Sequence, residues 1–256
     1  MNTGLVEIPN FKLNVRTQVP FQDLSIATKI ITEDEYGLMN LFDYIPIPKV
    51  ILDVGGHIGT FGIFAKSLWP DALLIAVEPS EDNAAMYQMN LDSNNMSDNS
   101  IIINAAVNYS DRKILINASR TTGGGVLLSE EEADEYIATN YRMCNGITND
   151  NVKSITIEDI IRDYNLDAID LAKFDCEGAE QDIFENMTDD SAAKFRYLVG
   201  EYHYWTAGMK ILRRSPHGEF KYWKKMKKKF KHLNFYSSDP PKPFGAFSAW
   251  PKEIDG

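Results

Sequence analysis

Val50-Ile51-Leu52-Asp53-Val54-Gly55-Gly56-His57-Ile58-Gly59-Thr60-Phe61 is the stretch on which the fold of this 256-residue chain turns. Its apolar opening suits a strand buried on both faces of a parallel sheet. The glycines break that run, and a helical pattern resumes through Phe61, Phe64, Ala65 and Leu68. At a strand-to-helix turn, glycine lets the backbone approach a ligand, and the following helix points unpaired N–H groups at anything anionic. Such a turn marks a nucleotide- or nucleoside-binding α/β domain.

Outward from this turn, strands and helices alternate. A second strand reads Ala72 to Val77 and ends at Glu78-Pro79, after which Ser80 or Glu81 starts a helix that stops at Asn94-Asn95. Ile101 to Val107 is a third strand, and Lys113 to Asn117 another. Val152 to Ile157 regains strand character, with Thr156 placed to cap a helix from Glu158 to Tyr164. Ile169 to Asp175 is a core strand, followed by a turn at Cys176-Glu177-Gly178, a helix from Ala179 to Met187, and a strand from Tyr197 to His203. Before the core, residues 1–20 alternate as a strand or hairpin through Ile8, Phe11, Leu13 and Val15, and 23–45 reads as helical until Pro46 and Pro48. The alternation predicts a doubly wound α/β architecture with a mainly parallel sheet.

Two segments fall outside this rhythm. Residues 121–151, with Gly123-Gly124-Gly125 and Glu130-Glu131-Glu132, read as an insertion that is either a substrate lid or a solvated excursion. The tail carries a basic helix over 219–233, in which Trp223, Met226, Phe230 and Leu233 form one apolar stripe among lysines. A helix docked on the sheet accounts for it, and binding of an anionic acceptor, weak contact with a membrane surface, or binding of RNA are the other readings. An aromatic, proline-broken pair of strands around Phe235 and Phe247 closes the chain.

Composition narrows the class. Charged residues at 25% and apolar ones at 44% describe an ordinary soluble globule. A net charge of −11 argues against bulk nucleic acid as partner. There is no run of about 18 apolar residues and no basic-then-apolar leader, so a cytoplasmic protein without a transmembrane segment is expected. The two cysteines, Cys144 and Cys176, form neither a disulfide framework nor a paired metal motif.

In an open α/β sheet, ligands sit beyond the carboxyl ends of the strands. The polar residues gather there: Asp53, Glu78, Asn104, Asp175 with Glu177, and Glu201 with His203. Gly55, Gly56 and Gly59 give G-G-x-x-G rather than the dinucleotide G-x-G-x-x-G, and Asp53 stands where a pyrophosphate would meet like charge. An ammonium or sulfonium group tolerates that carboxylate, and S-adenosylmethionine carries both. Glu78 is placed to accept hydrogen bonds from two ribose hydroxyls. A NAD-type site is the competing reading.

The same residues carry a family resemblance. Asp53-Val54-Gly55-Gly56-His57-Ile58-Gly59 followed by Glu78-Pro79 resembles the S-adenosylmethionine-dependent methyltransferases. Lys173-Phe174-Asp175-Cys176-Glu177-Gly178-Ala179-Glu180 is similar to the hallmark segment of the FkbM methyltransferase family, and Asn104-Ala105-Ala106-Val107 and Glu201-Tyr202-His203 also match its pattern. The resemblance runs from about residue 49 to 205. It implies a Rossmann-like methyltransferase fold with a seven-stranded, mainly parallel sheet and an antiparallel C-terminal strand. The methyltransferase domain would span 49–256, with 1–48 as an N-terminal extension.

What the resemblance further implies is a cofactor cradle of Asp53, Gly55, Gly56, His57 and Gly59. Glu78 with Pro79 would lie at the ribose, Asn104 and Ala105 at the adenine, and Asp175 at the amino group or the transferring methyl. His57 stands where the family usually has asparagine, and is expected to cap the helix or touch the cofactor. Methyl transfer to an oxygen needs a proton removed, and His203 is the candidate base. Asp175, Glu177 and Glu201 would orient it or bind the acceptor's hydroxyls. Glu180 reads as a carboxylate at a helix N-terminus, and Lys173 as either an ion-pair partner or a substrate contact. These donors would also suit a divalent ion, which is left open. The expected reaction is O-methylation of a sugar, glycan or polyketide-like small molecule. The alternatives are methylation of RNA or nitrogen, or a non-catalytic partner that keeps the fold.

Overall fold

The computed structural model describes residues 3–17, 22–109, 113–117, 125–128, 147–148, 152–177, 179–203, 230, 232–236 and 244–250. The N-terminal hairpin pairs β1 (Thr3–Ile8) with β2 (Phe11–Arg16), turning at Asn10 in the left-handed conformation. The helical stretch expected over 23–45 divides into α1 (Asp23–Thr32) and α2 (Leu38–Tyr44). Asp34 causes the break. Its backbone is left-handed, and its carboxylate accepts the N–H groups of Leu38 at 2.7 Å and Met39 at 3.0 Å at the start of α2.

β3 (Val50–Val54), α3 (Thr60–Leu68), β4 (Leu73–Val77), α4 (Glu81–Ser93) and β5 (Ser100–Ile103) follow. Ser80 caps α4 by accepting the Asn83 N–H. The strand expected over 101–107 splits at Asn104. The Ala105 N–H turns back to the Ile103 carbonyl, and the Asn104 amide donates to the carbonyls of Glu78 and Pro79. β6 (Ala106–Val107) therefore leaves the main sheet. β7 (Lys113–Asn117), β8 (Gly125–Leu128) and β9 (Ile147–Thr148) form a small antiparallel sheet, and β10 (Ser154–Ile155) pairs in parallel with β6.

α5 (Ile157–Asp163) opens with a full capping box between Thr156 and Asp159. β11 (Ile169–Phe174), α6 (Glu180–Asn186), α7 (Asp189–Ala193) and β12 (Phe195–His203) complete the alternation. The tail adds β13 (His232–Tyr236) and β14 (Phe244–Trp250), the strand pair expected around Phe235 and Phe247. The basic stripe was expected to stay helical to Leu233. His232 and Leu233 are instead strand, because they pair with Trp250 and Ala249. The rest of that segment, and most of the expected insertion at 121–151, lie outside the described residues.

The main sheet has seven strands in the order β13-β14-β12-β11-β3-β4-β5, with only β14 antiparallel to its neighbours. Numbered along the chain within this sheet, the order is 3-2-1-4-5-7-6 read from β5. This is the expected mainly parallel sheet with an antiparallel strand near the C-terminus. Side chains alternate between two buried faces, as the strand period of two demands. Leu52, Val54, Ile75, Val77 and Phe174 belong to one core. Ile51, Leu74, Ala76 and Leu171 belong to the other, which they share with Leu13, Val15, Ala27 and Leu38 of the N-terminal elements. The N-terminal hairpin, α1 and α2 thus cover one face of the sheet.

Candidate active site

β3, β4 and β11 lie side by side, so their carboxyl ends place Asp53, Glu78 and Asp175 near one another. A cleft of about 950 Å³, counting its open mouth, lies beyond these ends. Gly55, Gly56, His57, Glu78, Pro79, Ala105, Asp175 and Glu177 line it. Its apolar walls include Val54, Val77 and Val107.

The glycine turn is built differently from a phosphate cradle. The N–H groups of Gly55 and Gly56 both bond the Val77 carbonyl, at 2.9 and 3.1 Å, and the His57 N–H bonds Glu78 Oε2 at 2.8 Å. Three donors that a pyrophosphate would need are therefore engaged within the protein. Packing explains the glycines. A Cβ on Gly55 would fall 1.9 Å from the Asp175 carbonyl oxygen, and one on Gly59 only 2.2 Å from the Tyr87 ring. Gly59 also takes φ 90°, which glycine adopts without cost. It faces Tyr87 rather than the cleft.

Asp53 is fully buried and lies beneath the cleft rather than in its lining. Its Oδ2 accepts from Tyr87 Oη at 3.0 Å, and its Oδ1 lies 3.3 Å from Lys173 Nζ. The same ammonium donates to the Gly55 carbonyl at 2.6 Å and stands 3.8 Å from Asp175 Oδ2. Burial alone would lower the pKa of Lys173, but Asp53 and Asp175 outweigh it and hold the group charged. Lys173 is the ion-pair partner of both carboxylates.

Glu78 is buried at the end of β4. Its Oε1 accepts from Ser80 N at 2.8 Å and Asn83 Nδ2 at 3.3 Å, and its Oε2 from His57 N. Burial raises its pKa, against the pull of these donors. Two polar atoms of cleft-lining residues, Thr60 Oγ1 and Asn83 Oδ1, are buried without a partner among the described residues. Asn104 and Pro79 shape this end, Asn104 through its bonds to the carbonyls of residues 78 and 79.

Asp175, Glu180, Glu201 and His203 form one array. His203 Nδ1 lies 3.1 Å from Glu180 Oε1, and its Nε2 lies 3.3 Å from Glu201 Oε2 and 4.0 Å from Asp175 Oδ1. Burial would lower the imidazole pKa, but these three carboxylates raise it well above its ordinary value. Glu180, expected only as a helix-terminal carboxylate, also accepts the Cys176 N–H at 2.8 Å. Burial, with Glu180 and Asp175 beside it, pushes the Cys176 thiol up, so it stays protonated. For Asp175, burial acts upward, but Lys173, His203 and a hydrogen bond from Tyr36 prevail and hold it below its ordinary value. One ligand atom each of Asp175, Glu180 and His203 falls within 4.8 Å of the others. Within this set Glu180 Oε1 and His203 Nδ1 face each other at 3.1 Å.

The N-terminal segment supplies what the sequence reading missed. Tyr36, in the break between α1 and α2, donates to Asp175 Oδ2 at 2.9 Å. Ile26 and Ile30 of α1 line the cleft. His57 does not cap α3, whose N-cap is Gly59. Its Nε2 lies 2.9 Å from Arg16 Nη2 and 3.3 Å from Asp23 Oδ1. No local motif flags Arg16, Asp23, Ile26, Ile30 or Tyr36, since each reaches the site from a distant part of the chain. Thr60 and Asn83 had a weak signal, as polar residues just after Gly59 and the Ser80 cap.

A 3-2-1-4-5-7-6 sheet with acidic residues at its central strand ends defines a Rossmann-like methyltransferase fold. The chain belongs to the FkbM methyltransferase family: residues 53–235 match its domain, "Methyltransferase FkbM domain". It is thus an S-adenosylmethionine-dependent methyltransferase. It is 24% identical over 193 residues to the methyltransferase sdnD of Sordaria araneosa, covering 69% of this chain and 73% of that one. It is 26% identical over 217 residues to the AMB antimetabolite synthetase AmbE of Pseudomonas aeruginosa. That match covers 70% of this chain but only 10% of AmbE, so the chain spans about a tenth of that relative's length. Among solved structures, M. jannaschii TYW2 in complex with AdoMet superposes with a TM-score of 0.47 at 13% identity, over 96% of this chain and 84% of that one. Among the described residues, no helix is long and apolar enough to cross a membrane.

Proposed function

We propose that this protein is an O-methyltransferase that transfers a methyl group to a hydroxyl of a sugar, glycan or polyketide-like small molecule, acting in the cytoplasm. Residues 1–48 serve on this reading as an extension that completes the cleft of the 49–256 domain. The observation that carries it is the arrangement at the strand ends. A buried Glu78 carboxylate at one end of the cleft suits ribose hydroxyls. At the other end Asp175 lines the cleft and connects it to His203 and Glu201, which stand behind the lining, and this array suits a hydroxyl acceptor.

The residues fit the cofactor. Thr60 Oγ1 and Asn83 Oδ1 are buried and in want of partners that a polar ligand would supply. Val77, Pro79, Ala105 and Val107 offer an apolar slot for a base, and Asp175 a carboxylate for an ammonium group. Gly55, Gly56 and His57 form the wall between these ends, and Asp53, Gly59 and Asn104 support it from behind. S-adenosylmethionine, when bound, supplies an electrophilic methyl on a sulfonium. The protein's part is alignment and removal of the acceptor proton. His203 takes that proton once it has lost its own, with Glu177 and Glu201 holding the acceptor's hydroxyls.

Calorimetry with S-adenosylhomocysteine tests the cofactor half: wild type binds it, and Glu78→Gln and Asn83→Ala bind it more weakly. Binding of NADH instead would overturn the assignment. A labelled-methyl screen of sugars and polyketides tests the acceptor half, and label appearing only on nitrogen or RNA would replace it.

A further inference from the structure

The Arg16–Asp23–His57 group joins the N-terminal segment, which lies outside the family match, to the glycine turn. Arg16 and Asp23 form a buried fork, with Nε to Oδ2 at 2.9 Å, Nη2 to Oδ1 at 2.7 Å, and the Arg16 N–H to Oδ2 at 2.8 Å. Their side chains are 2% and 0% exposed. A charged pair so buried is held only where its hydrogen bonds are made, and these fix both side chains. The His57 imidazole closes the group. With its proton on Nδ1 it accepts from Arg16, and with its proton on Nε2 it donates to Asp23.

His57 is also a residue whose backbone conformation matters to the turn. Its φ is 51°, in the left-handed region that few non-glycine residues adopt, and its N–H carries one of the bonds on the Glu78 carboxylate. The chain of contact therefore runs from β2 and α1, through one imidazole, to the carboxylate at the ribose end of the cleft.

We propose that Arg16 and Asp23 are positioning residues for the cofactor, clamping His57 so that the turn presents Glu78 in its binding geometry. This rests on the cleft being the cofactor site. A role confined to fold stability would act on the melting temperature. A clamp acts on affinity, because it holds a turn that otherwise samples other shapes.

His57→Gly separates the two. Glycine takes the left-handed backbone freely but has no imidazole for Arg16 and Asp23 to hold. Titration of the full chain with S-adenosylhomocysteine is expected to show about a tenfold loss for His57→Gly, because the unclamped turn must be ordered on binding. The lost bonds to Arg16 and Asp23 lower the ligand-free melting temperature as well, but the affinity loss should persist at temperatures where the variant is fully folded. Asp23→Asn should lose a similar factor, and the double variant should bind no more weakly than the weaker single one. If Asp23→Asn does not fold, Arg16→Lys takes its place, keeping the charge without the fork. Variants that bind like wild type, or losses that multiply independently, would overturn the clamp alone. A wild type that binds no S-adenosylhomocysteine would overturn the cofactor reading, and the clamp with it.

Discussion

Tyr36 Oη and Asp175 Oδ2 stand 2.9 Å apart across 139 residues of chain. Burial, with Asp175 and Glu201 nearby, raises the phenol's pKa, so it remains a donor. The contact ties the break between α1 and α2 to the strand end of β11.

Tyr36→Phe removes that donor and keeps the ring, which packs edge-on to Phe61. A hydrogen bond to a charged group contributes about 1.5–3 kcal/mol, and a stability loss of that order is expected at neutral pH by urea titration. Because Asp175 titrates below its ordinary 3.8 in the folded protein, the stability it confers is present above 3.8 and lost as pH falls through the folded value. The gap between wild type and Tyr36→Phe should therefore narrow in acid. A gap independent of pH would show that the bond does not act on the carboxylate.

Lys173→Met leaves Asp53 buried beside an apolar chain. Breaking a buried ion pair from one side costs about 3–5 kcal/mol. Asp53→Asn in the same chain keeps a partner for Tyr87 and removes the stranded charge, so the double variant should recover part of the loss. A double-variant cycle with no coupling would mean that the 3.3 Å contact contributes nothing.

Gly62→Ala tests the packing around Tyr87. The added Cβ would sit 1.8 Å from Tyr87 Oη and 2.8 Å from the ring carbon bearing it. Overpacking of this kind costs about 1–3 kcal/mol. Tyr87→Phe removes the oxygen and should relieve part of that penalty in the double variant, read from the melting temperature. An undiminished penalty would place the clash elsewhere.

His203 should be an imidazolium at neutral pH, visible in its ring carbon shifts by NMR. Its folded pKa lies above its ordinary 6.5, so the stability it gives is complete below 6.5 and is lost as pH rises through the folded value. If His203 is the base, methyl transfer must accelerate as pH rises above neutrality. Glu180→Gln should move that rise to lower pH. A rate that is flat over the same range would hand proton removal to a carboxylate.

The order of elements was legible because it is written locally. Apolar runs gave β3, β4 and β11, Ser80 and Thr156 announced their helices, and Asp175-Cys176-Glu177 marked the family. Where prediction failed, a side chain had reached outside its own window. Asp34 split a helix by capping the next one, Asn104 pulled the chain off the sheet, and Trp250 and Ala249 claimed His232 and Leu233 for a strand.

By itself, then, the sequence determined the strand–turn–helix unit, the acidic strand ends and the kind of methyl donor they suit. Periodicity and short motifs act within a few residues. Only the tertiary structure decided what each group does. It put Asp53 under the cleft, bonded to Tyr87 34 residues on. It made Lys173 the bridge between Asp53 and Asp175 and surrounded His203 with three carboxylates, Asp175 among them. It also brought Arg16, Asp23, Ile26, Ile30 and Tyr36 to a site that no local pattern connects with them. Protonation and burial depend on neighbours in space, and those neighbours are set by how the sheet and its N-terminal cover pack.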